Sequence, residues 1–325
     1  SLRWWSKNPM YYQAEAYYGK MFDKFGFTVS VNGFSTDGYK QGEIEDRGRI
    51  SGSLYFKTKK FPRLKYGLGY NVQFQKTGNF LIWESDSLAY TPSGGADPND
   101  STSTLSSYQG TTINIDPYLK AYDKKNNLHS LKTRYYYVDR VNISNPAQST
   151  TSGVIYGDYQ FQKKWSDYDI IMSAGLVSNS VFVEAELYGD TTYTSQNFAT
   201  YLQIEKKFFD KLNISFGARY EQNTTYSPEF IVAGNYKDTI PNGKISEGKP
   251  VFRLGANYQL SQATFLRASW GQGYRYPTIA EQFIFTNAGG LNIFPNPSLK
   301  SETGWSSEIG VKQGFKIGEW NGYVD

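Results

Sequence analysis

The 325-residue chain contains no cysteine and a single histidine, His129. Without thiols it can form neither a disulfide framework nor a cysteine-ligated zinc site, and one imidazole excludes a histidine-rich metal centre. The lack of cysteine also fits a cell-envelope protein that avoids thiol oxidation. No apolar run approaches the eighteen residues that a membrane helix requires, and the mean hydropathy is −0.57. The formal net charge is +4, with basic and acidic residues mixed along the chain. A nucleic-acid footprint would be a concentrated basic face, and none is visible. There is no phosphate loop, no Gly-x-Ser-x-Gly elbow and no clustered nucleophile and base. The chain therefore reads as a non-enzyme with no cofactor and no metal site. The tract "DPNDS" at 97–101 lacks the 12-residue loop and terminal Glu of a calcium hand. The first residue is Ser1 and the last, Asp325, falls inside a strand-like run. We expect a piece of a longer protein, with a leader and other domains outside it.

Aromatic residues are abundant instead: 28 Tyr, 21 Phe and 7 Trp, far too many for a disordered chain. They fall in alternating patterns. In "KYGLGYNVQFQK", Tyr66, Leu68, Tyr70, Val72 and Phe74 share one face, while Gly67, Gly69, Asn71, Gln73 and Gln75 share the other. "FGFTVSVNGF" at Phe25–Phe34 repeats the pattern, as do Ile50–Phe56, Ile113–Leu119, Ile155–Phe161, Leu212–Tyr220, Phe252–Leu260 and Ile309–Phe315. A period of two marks strands, not helices. About fourteen such segments of about eight to fourteen residues are expected, near the length of a tilted membrane-spanning strand.

Period alone does not separate a soluble sandwich from a membrane barrel; connection lengths do. The links at "GKMFDK", "TKKFPRL", "DKKNN", "KWSDY", "FFDK" and "LSQ" are short. Those at Phe34–Arg47, Thr77–Tyr108, Val141–Ser152, Ser178–Gln196, Gln222–Pro250 and Arg275–Thr303 are longer, and the two kinds alternate. Short periplasmic turns and long extracellular loops are the mark of an outer-membrane barrel; a sandwich has no reason to keep that parity. Aromatics near strand ends, such as Tyr11, Tyr12, Tyr17, Tyr18, Trp165, Phe208, Phe209 and Trp320, suit interfacial girdles. The reading is all-β: a large antiparallel transmembrane barrel with outer-membrane lipid as its solvent. Arg219, Glu221, Arg253, Asn257, Arg267 and Glu308 are assigned to its inner face, since charge is tolerated there only beside water or polar partners.

One stretch is more specific. "GQGYRYPTIAEQF", followed after a loop by "NPSLKSETGWSSEIGVK", resembles the C-terminal-half signature of TonB-dependent outer-membrane receptors. The resemblance rests on Gly273, Tyr274, Arg275, Pro277, Glu281 and Phe283, then Asn296, Pro297, Leu299, Lys300 and Glu302, then Glu308 and Gly310. It covers about forty residues; the rest of the chain matches in style alone. Tyr276 stands where a small residue is more usual, and Ser301 where Pro is common. The resemblance implies a barrel of about 22 strands, of which fourteen are visible. It also implies an N-terminal plug domain and final strands outside this chain, and a Gram-negative outer-membrane location. Its implied partners are the plug, the TonB complex acting through the plug, a surface lipoprotein and a nutrient ligand, with no nucleic acid. The implied function is energised import of a siderophore, glycan or peptide; a passive porin and a structural or secretion barrel are the alternatives.

Long loops on a rigid barrel are where binding groups sit. Trp83, Glu84, Tyr90, Arg275, Tyr276, Phe283, Phe285, Phe294 and Trp305 combine aromatic surface with polar handles, and are the candidate ligand contacts. For each of them the plainer alternative is packing within its own loop. Gly273, Pro277, Glu281, Asn296, Pro297, Leu299, Lys300, Glu302 and Glu308 are read as structural motif residues. For Arg275, Glu281, Lys300 and Glu302, mutual pairing that folds the long connection back is the favoured role.

Overall fold

The computed structural model describes residues 3–189, 191–288 and 291–325. The strands in chain order are β1 (Tyr11–Met21), β2 (Phe25–Thr36), β3 (Glu45–Lys57), β4 (Leu64–Asn79), β5 (Ser106–Tyr122), β6 (Leu128–Asn142), β7 (Thr150–Trp165), β8 (Ile170–Ala185), β9 (Thr191–Phe208), β10 (Leu212–Tyr226), β11 (Phe230–Ala233), β12 (Tyr236–Thr239), β13 (Lys244–Gln259), β14 (Thr264–Arg275), β15 (Thr286–Ala288), β16 (Leu291–Ile293), β17 (Glu302–Ile317) and β18 (Trp320–Val324). Fourteen of them form one antiparallel sheet in which every strand pairs with its neighbour in sequence, apart from β11–β12 and β15–β16. Those two pairs are small hairpins inside the loops that follow β10 and β14. The one α-helix among the described residues, α1 (Ile279–Phe283), lies in the same loop as β15 and β16.

The register sorts side chains onto two faces. Val31, Ile50 and Val72 are cross-strand partners, as are Phe216 with Leu254 and Leu254 with Trp270. This apolar face continues through Ile115, Tyr135, Ile155, Leu176, Leu202, Leu266 and Val311, and most of it is exposed; Ile309 is 88% accessible. A sandwich would bury such a face under a second sheet, but no second layer covers it among the described residues. Exposed apolar surface on this scale needs an apolar solvent. The opposite face carries Arg219, Glu221, Arg253, Asn257, Arg267 and Glu308, all at the same parity in the ladder, as expected. On it, Arg267 bridges Glu308 and Asp325, each at 3.1 Å. Gly310 is Arg267's cross-strand partner, and a Cβ there would lie 2.7 Å from Nε. The Glu-x-Gly spacing therefore leaves room for the arginine to lie across β17.

One rim holds the turns 22–24, 58–63, 123–127, 166–169, 209–211, 260–263 and 318–319. The other holds the loops 37–44, 80–105, 143–149, 186–190, 227–243 and 276–301. The alternation of short and long connections is therefore real, with one correction. Ser178–Gln196 is not a long loop, because β8 and β9 run through most of it and pair from Ala185↔Thr191 onward.

Charge is also less evenly spread than its mixture in sequence suggests. Six turn regions of the short rim (20–24, 57–65, 120–127, 162–169, 205–212 and 312–320) hold seventeen of the 34 basic residues but seven of the 30 acidic ones. Aromatics line this rim too. Phe25 stacks between Phe27 at 5.9 Å and Phe56 at 5.2 Å, and Phe56 stacks on Tyr66 at 5.4 Å.

Candidate functional site

At the long-loop rim, the connection 276–301 folds over the polar face. The sequence "TIAE" makes a helix start: Thr278 Oγ1 accepts from the Glu281 backbone N–H at 3.2 Å, and Glu281 Oε2 accepts from the Thr278 N–H at 2.8 Å. This reciprocal capping satisfies two donors that would otherwise lack partners. The short helix α1 then buries Ile279 and Phe283 in a cluster with Tyr193, Ile231 and Ile240. Phe283 is 1% accessible and stacks on Tyr193 at 4.4 Å, while the Tyr193 hydroxyl donates to the Tyr188 carbonyl at 2.9 Å. Val181, Val183 and Ile245 complete the cluster from the sheet beneath. It is a small core of its own, set against the inner face of the barrel wall at this rim.

An ion-pair clamp fixes the same loop at its two ends. Arg275 Nη1 donates to both Glu281 oxygens at 2.7 and 2.8 Å, and its Nη2 and Nε donate to Glu302 at 2.8 and 3.2 Å. Arg275 and Glu302 are direct partners in the β14–β17 ladder, so one planar fork joins two strand ends to α1. Only arginine offers this two-sided bidentate geometry. The capping N–H of Thr278, then Arg275, hold the Glu281 carboxyl below the usual carboxylate range. The contribution of this clamp is thus intact above the ordinary carboxylate pKa and is lost as pH falls through the lowered one. Lys300, by contrast, joins no ion pair among the described residues, so the expected four-member pairing is a three-member one.

The two departures from the motif have structural roles. The Tyr276 hydroxyl donates to the carbonyls of Glu221 and Glu247 at 3.1 and 3.3 Å, tying the loop to β10 and β13. Burial, reinforced by the charges of Glu221 and Glu247, pushes its phenol up to about 12. Ser301 donates through its N–H and its hydroxyl to Glu247 at 3.1 and 2.8 Å, and Glu247 also pairs with Lys249 at 2.9 Å. A proline at 301 could not supply that N–H. Glu247 lies outside the motif; only a half-buried acceptor opposite a polar substitution in the motif signals it.

The remaining candidates divide. Glu84 is used internally, accepting from the Gly94 N–H at 3.0 Å, and Tyr90 packs edge-on against Tyr39 at 6.0 Å. Trp305 is 70% exposed but has the parity of Gln272 and Ile309, which places it on the apolar outer face as part of the upper aromatic belt and not in the site. Asn296 accepts from Ser298 Oγ and its N–H donates to the Gln282 carbonyl at 2.7 Å, turning the chain at Pro297 and Leu299. Gly273 faces Gly304 across the ladder, and Pro277 leads from the clamp into α1. Three candidates keep accessible aromatic surface: Trp83, Phe285 and Phe294. Phe285 and Phe294 pack together at 5.8 Å, and Phe294 meets Tyr236 at 6.3 Å. Tyr236, from the β11–β12 hairpin, carries no sequence signal of this role. Trp83 stands on the 80–105 loop, apart from this cluster among the described residues. The result is a clamped loop that presents the exposed Phe285–Phe294 pair, backed by half-buried Tyr236, above the mouth of the polar face.

Replacing Arg275 with Ala is expected to leave Glu281 and Glu302 facing each other without a counter-charge, and Arg275→Lys is expected not to restore the fork. Protease cleavage within 284–296 should accelerate on the order of tenfold in both variants, with barrel migration on unheated gels unchanged. Unchanged cleavage would mean that the clamp does not hold the loop.

Comparison with known proteins supplies the family. The profile described as TonB dependent receptor-like, beta-barrel matches residues 5–325. A rhizobactin receptor of Rhizobium meliloti (strain 1021) is 25% identical over 173 residues, covering 49% of this chain and 23% of the receptor. Among solved structures, the ferric-catecholate import receptor Fiu of K12 E. coli superposes with a TM-score of 0.70 at 11% identity, over 93% of this chain and 54% of that one. The siderophore receptor PirA of Pseudomonas aeruginosa gives 0.69 at 12% identity, over 98% and 52%. The chain thus spans about half the length of these solved structures, and their likeness concerns the fold. The profile match over nearly the whole chain, on a sheet with an apolar outer face and a motif-built clamp, shows that the protein belongs to the TonB-dependent receptor β-barrel family and is an integral protein of the Gram-negative outer membrane.

Proposed function

We propose that the protein binds a scarce extracellular nutrient at its long-loop rim and imports it to the periplasm with TonB-derived energy. The observation that carries this reading is the Phe285–Phe294 pair, exposed and backed by half-buried Tyr236, held above the polar face by the Arg275 clamp and the Phe283 core. Flat aromatic surface on a rigid support suits stacking against a planar or ring-bearing ligand. Among siderophores, glycans and peptides, a ferric chelate is favoured, because the similar proteins are described as a rhizobactin receptor, a ferric-catecholate receptor and a siderophore receptor. A plug domain in the full-length protein would occupy the polar lumen, and the TonB complex would act on that plug. A surface lipoprotein is a further partner in this reading. A passive porin needs no such clamped loop.

The test uses the full-length protein in cells. Uptake of the cognate ferric chelate should stop when the proton gradient is collapsed; uptake that persists would indicate diffusion. The double variant Phe285→Ala/Phe294→Ala should weaken ligand binding about tenfold, from about 0.5–1.5 kcal/mol for each aromatic contact. Unaltered affinity would place the ligand elsewhere.

A further inference from the structure

The short-turn rim carries a charge pattern that nutrient binding does not use. Lys163 and Lys206 lie on the outer, lipid-side parity of β7 and β9, in register through β8. Lys163 faces Met172, which faces Ile204; Trp165 faces Ile170, which faces Lys206. Each ammonium sits over an interfacial ring: Lys163 at 4.5 Å from the centroid of Trp165, and Lys206 at 5.1 Å from that of Phe208. Nearby carboxylates do not neutralise them. Glu205 has the opposite parity and accepts from Gln203, and Asp210 pairs with Lys207 at 3.2 Å. Asp167 and Asp169 lie in the turn beyond. Neither Lys163 nor Lys206 enters an ion pair among the described residues. Beside them Phe209, at φ 50°, stands at the tip of the 209–211 turn and is 92% exposed. A bulky residue is uncommon in that left-handed conformation; its ring meets Phe208 at 6.5 Å but joins no buried cluster among the described residues.

We propose that Lys163 and Lys206, with Trp165 and Phe208, form a binding site for the phosphate headgroup of an anionic glycerophospholipid in the periplasmic leaflet. Lysine stems lie along apolar surface while their ammonium groups reach headgroup level, and the rings beneath them sit at the acyl boundary. The site is continuous with the lipid-facing sheet, so its occupant arrives with its acyl chains already against Met172 and Ile204. The excess of basic over acidic residues along this rim attracts the same leaflet at longer range. A zwitterionic headgroup would bring its own ammonium against the two lysines and bind less well.

Native mass spectrometry of the full-length protein, released from mild detergent with defined mixtures of phosphatidylglycerol and phosphatidylethanolamine, tests this. Wild type should retain phosphatidylglycerol preferentially, with the preference falling as salt is raised. Lys163→Gln/Lys206→Gln should reduce it about 25-fold, from about fivefold per lysine, whereas Lys163→Arg/Lys206→Arg should keep it. Equal retention of the two lipids by wild type, a preference insensitive to salt, or an undiminished preference in the folded glutamine variant would overturn the proposal.

Discussion

Replacing Phe283 with alanine is expected to free α1 from the barrel rim while the barrel itself stays folded. Phe283 is 1% accessible and fills the centre of the cluster made by Tyr193, Ile231, Ile240 and Ile279. Truncating a buried phenylalanine costs about 3–5 kcal/mol, from lost transfer energy and the cavity left behind. Here the loss falls on a local unit, because the cluster belongs to the loops 227–243 and 276–301 and the upper ends of β8, β9 and β13. Hydrogen exchange within 278–284 should therefore accelerate by more than about 100-fold, while strands β2–β6 exchange as before. Ligand binding should fall with it, because Phe285 follows two residues later and its N–H is held by the Leu187 carbonyl at 2.8 Å. Faster exchange over the whole sheet would show that the loop core and the barrel are one cooperative unit; unchanged exchange would show that α1 is held by the Arg275 clamp alone. Phe283 thus changes from a candidate ligand contact into the anchor of the surface that carries the candidate contacts.

The second large effect is expected at Ile309, near the middle of β17, where Ile309→Arg places a guanidinium on the acyl-chain side of the wall. A charge at the bilayer midplane on a barrel's lipid face costs about 2–4 kcal/mol. Its neighbour in sequence, Glu308, faces the lumen and pairs with Arg267, so Glu308→Gln should change stability far less. Urea unfolding of the full-length protein in lipid vesicles measures both. Equal effects at 308 and 309 would mean that the two faces of β17 see the same solvent.

How much of this was legible in the sequence follows from the solvent on each side of each strand. Within the bilayer, outward positions meet lipid and inward ones meet water or polar groups. The alternation of Tyr66 to Phe74 therefore announces both strand and face, and the five charged residues from Arg219 to Glu308, with Asn257, fall inward as expected. Beyond the upper membrane boundary the rule inverts. In Ser178–Ala185, Val181 and Val183 point inward beneath the loop core, while Ser180 and Glu184 point outward. The change of phase breaks the pattern and gives this strand the look of a loop. Trp305 is ambiguous in sequence for a related reason: an aromatic residue at a strand end suits a ligand site and a lipid interface equally, and only the register of β14 with β17 assigns its side. The clamp was within reach, because Arg275, Glu281 and Glu302 all belong to the quoted motif. Its support by Glu247 was not, since that contact spans 54 residues and leaves no local trace. Tyr236 likewise joins Phe285 and Phe294 only through the fold.

The absence of cysteine from the chain makes the central claim directly measurable. Single cysteines placed in turn at positions 305–312 and spin-labelled in lipid vesicles report whether each side chain meets acyl chains, through collision with oxygen, or water, through collision with a polar nickel chelate. The account predicts a strict alternation: lipid contact at the odd positions, Ile309 and Val311 among them, and aqueous contact at the even ones, Glu308 and Gly310 among them. Aqueous contact at both parities along β17 would contradict it.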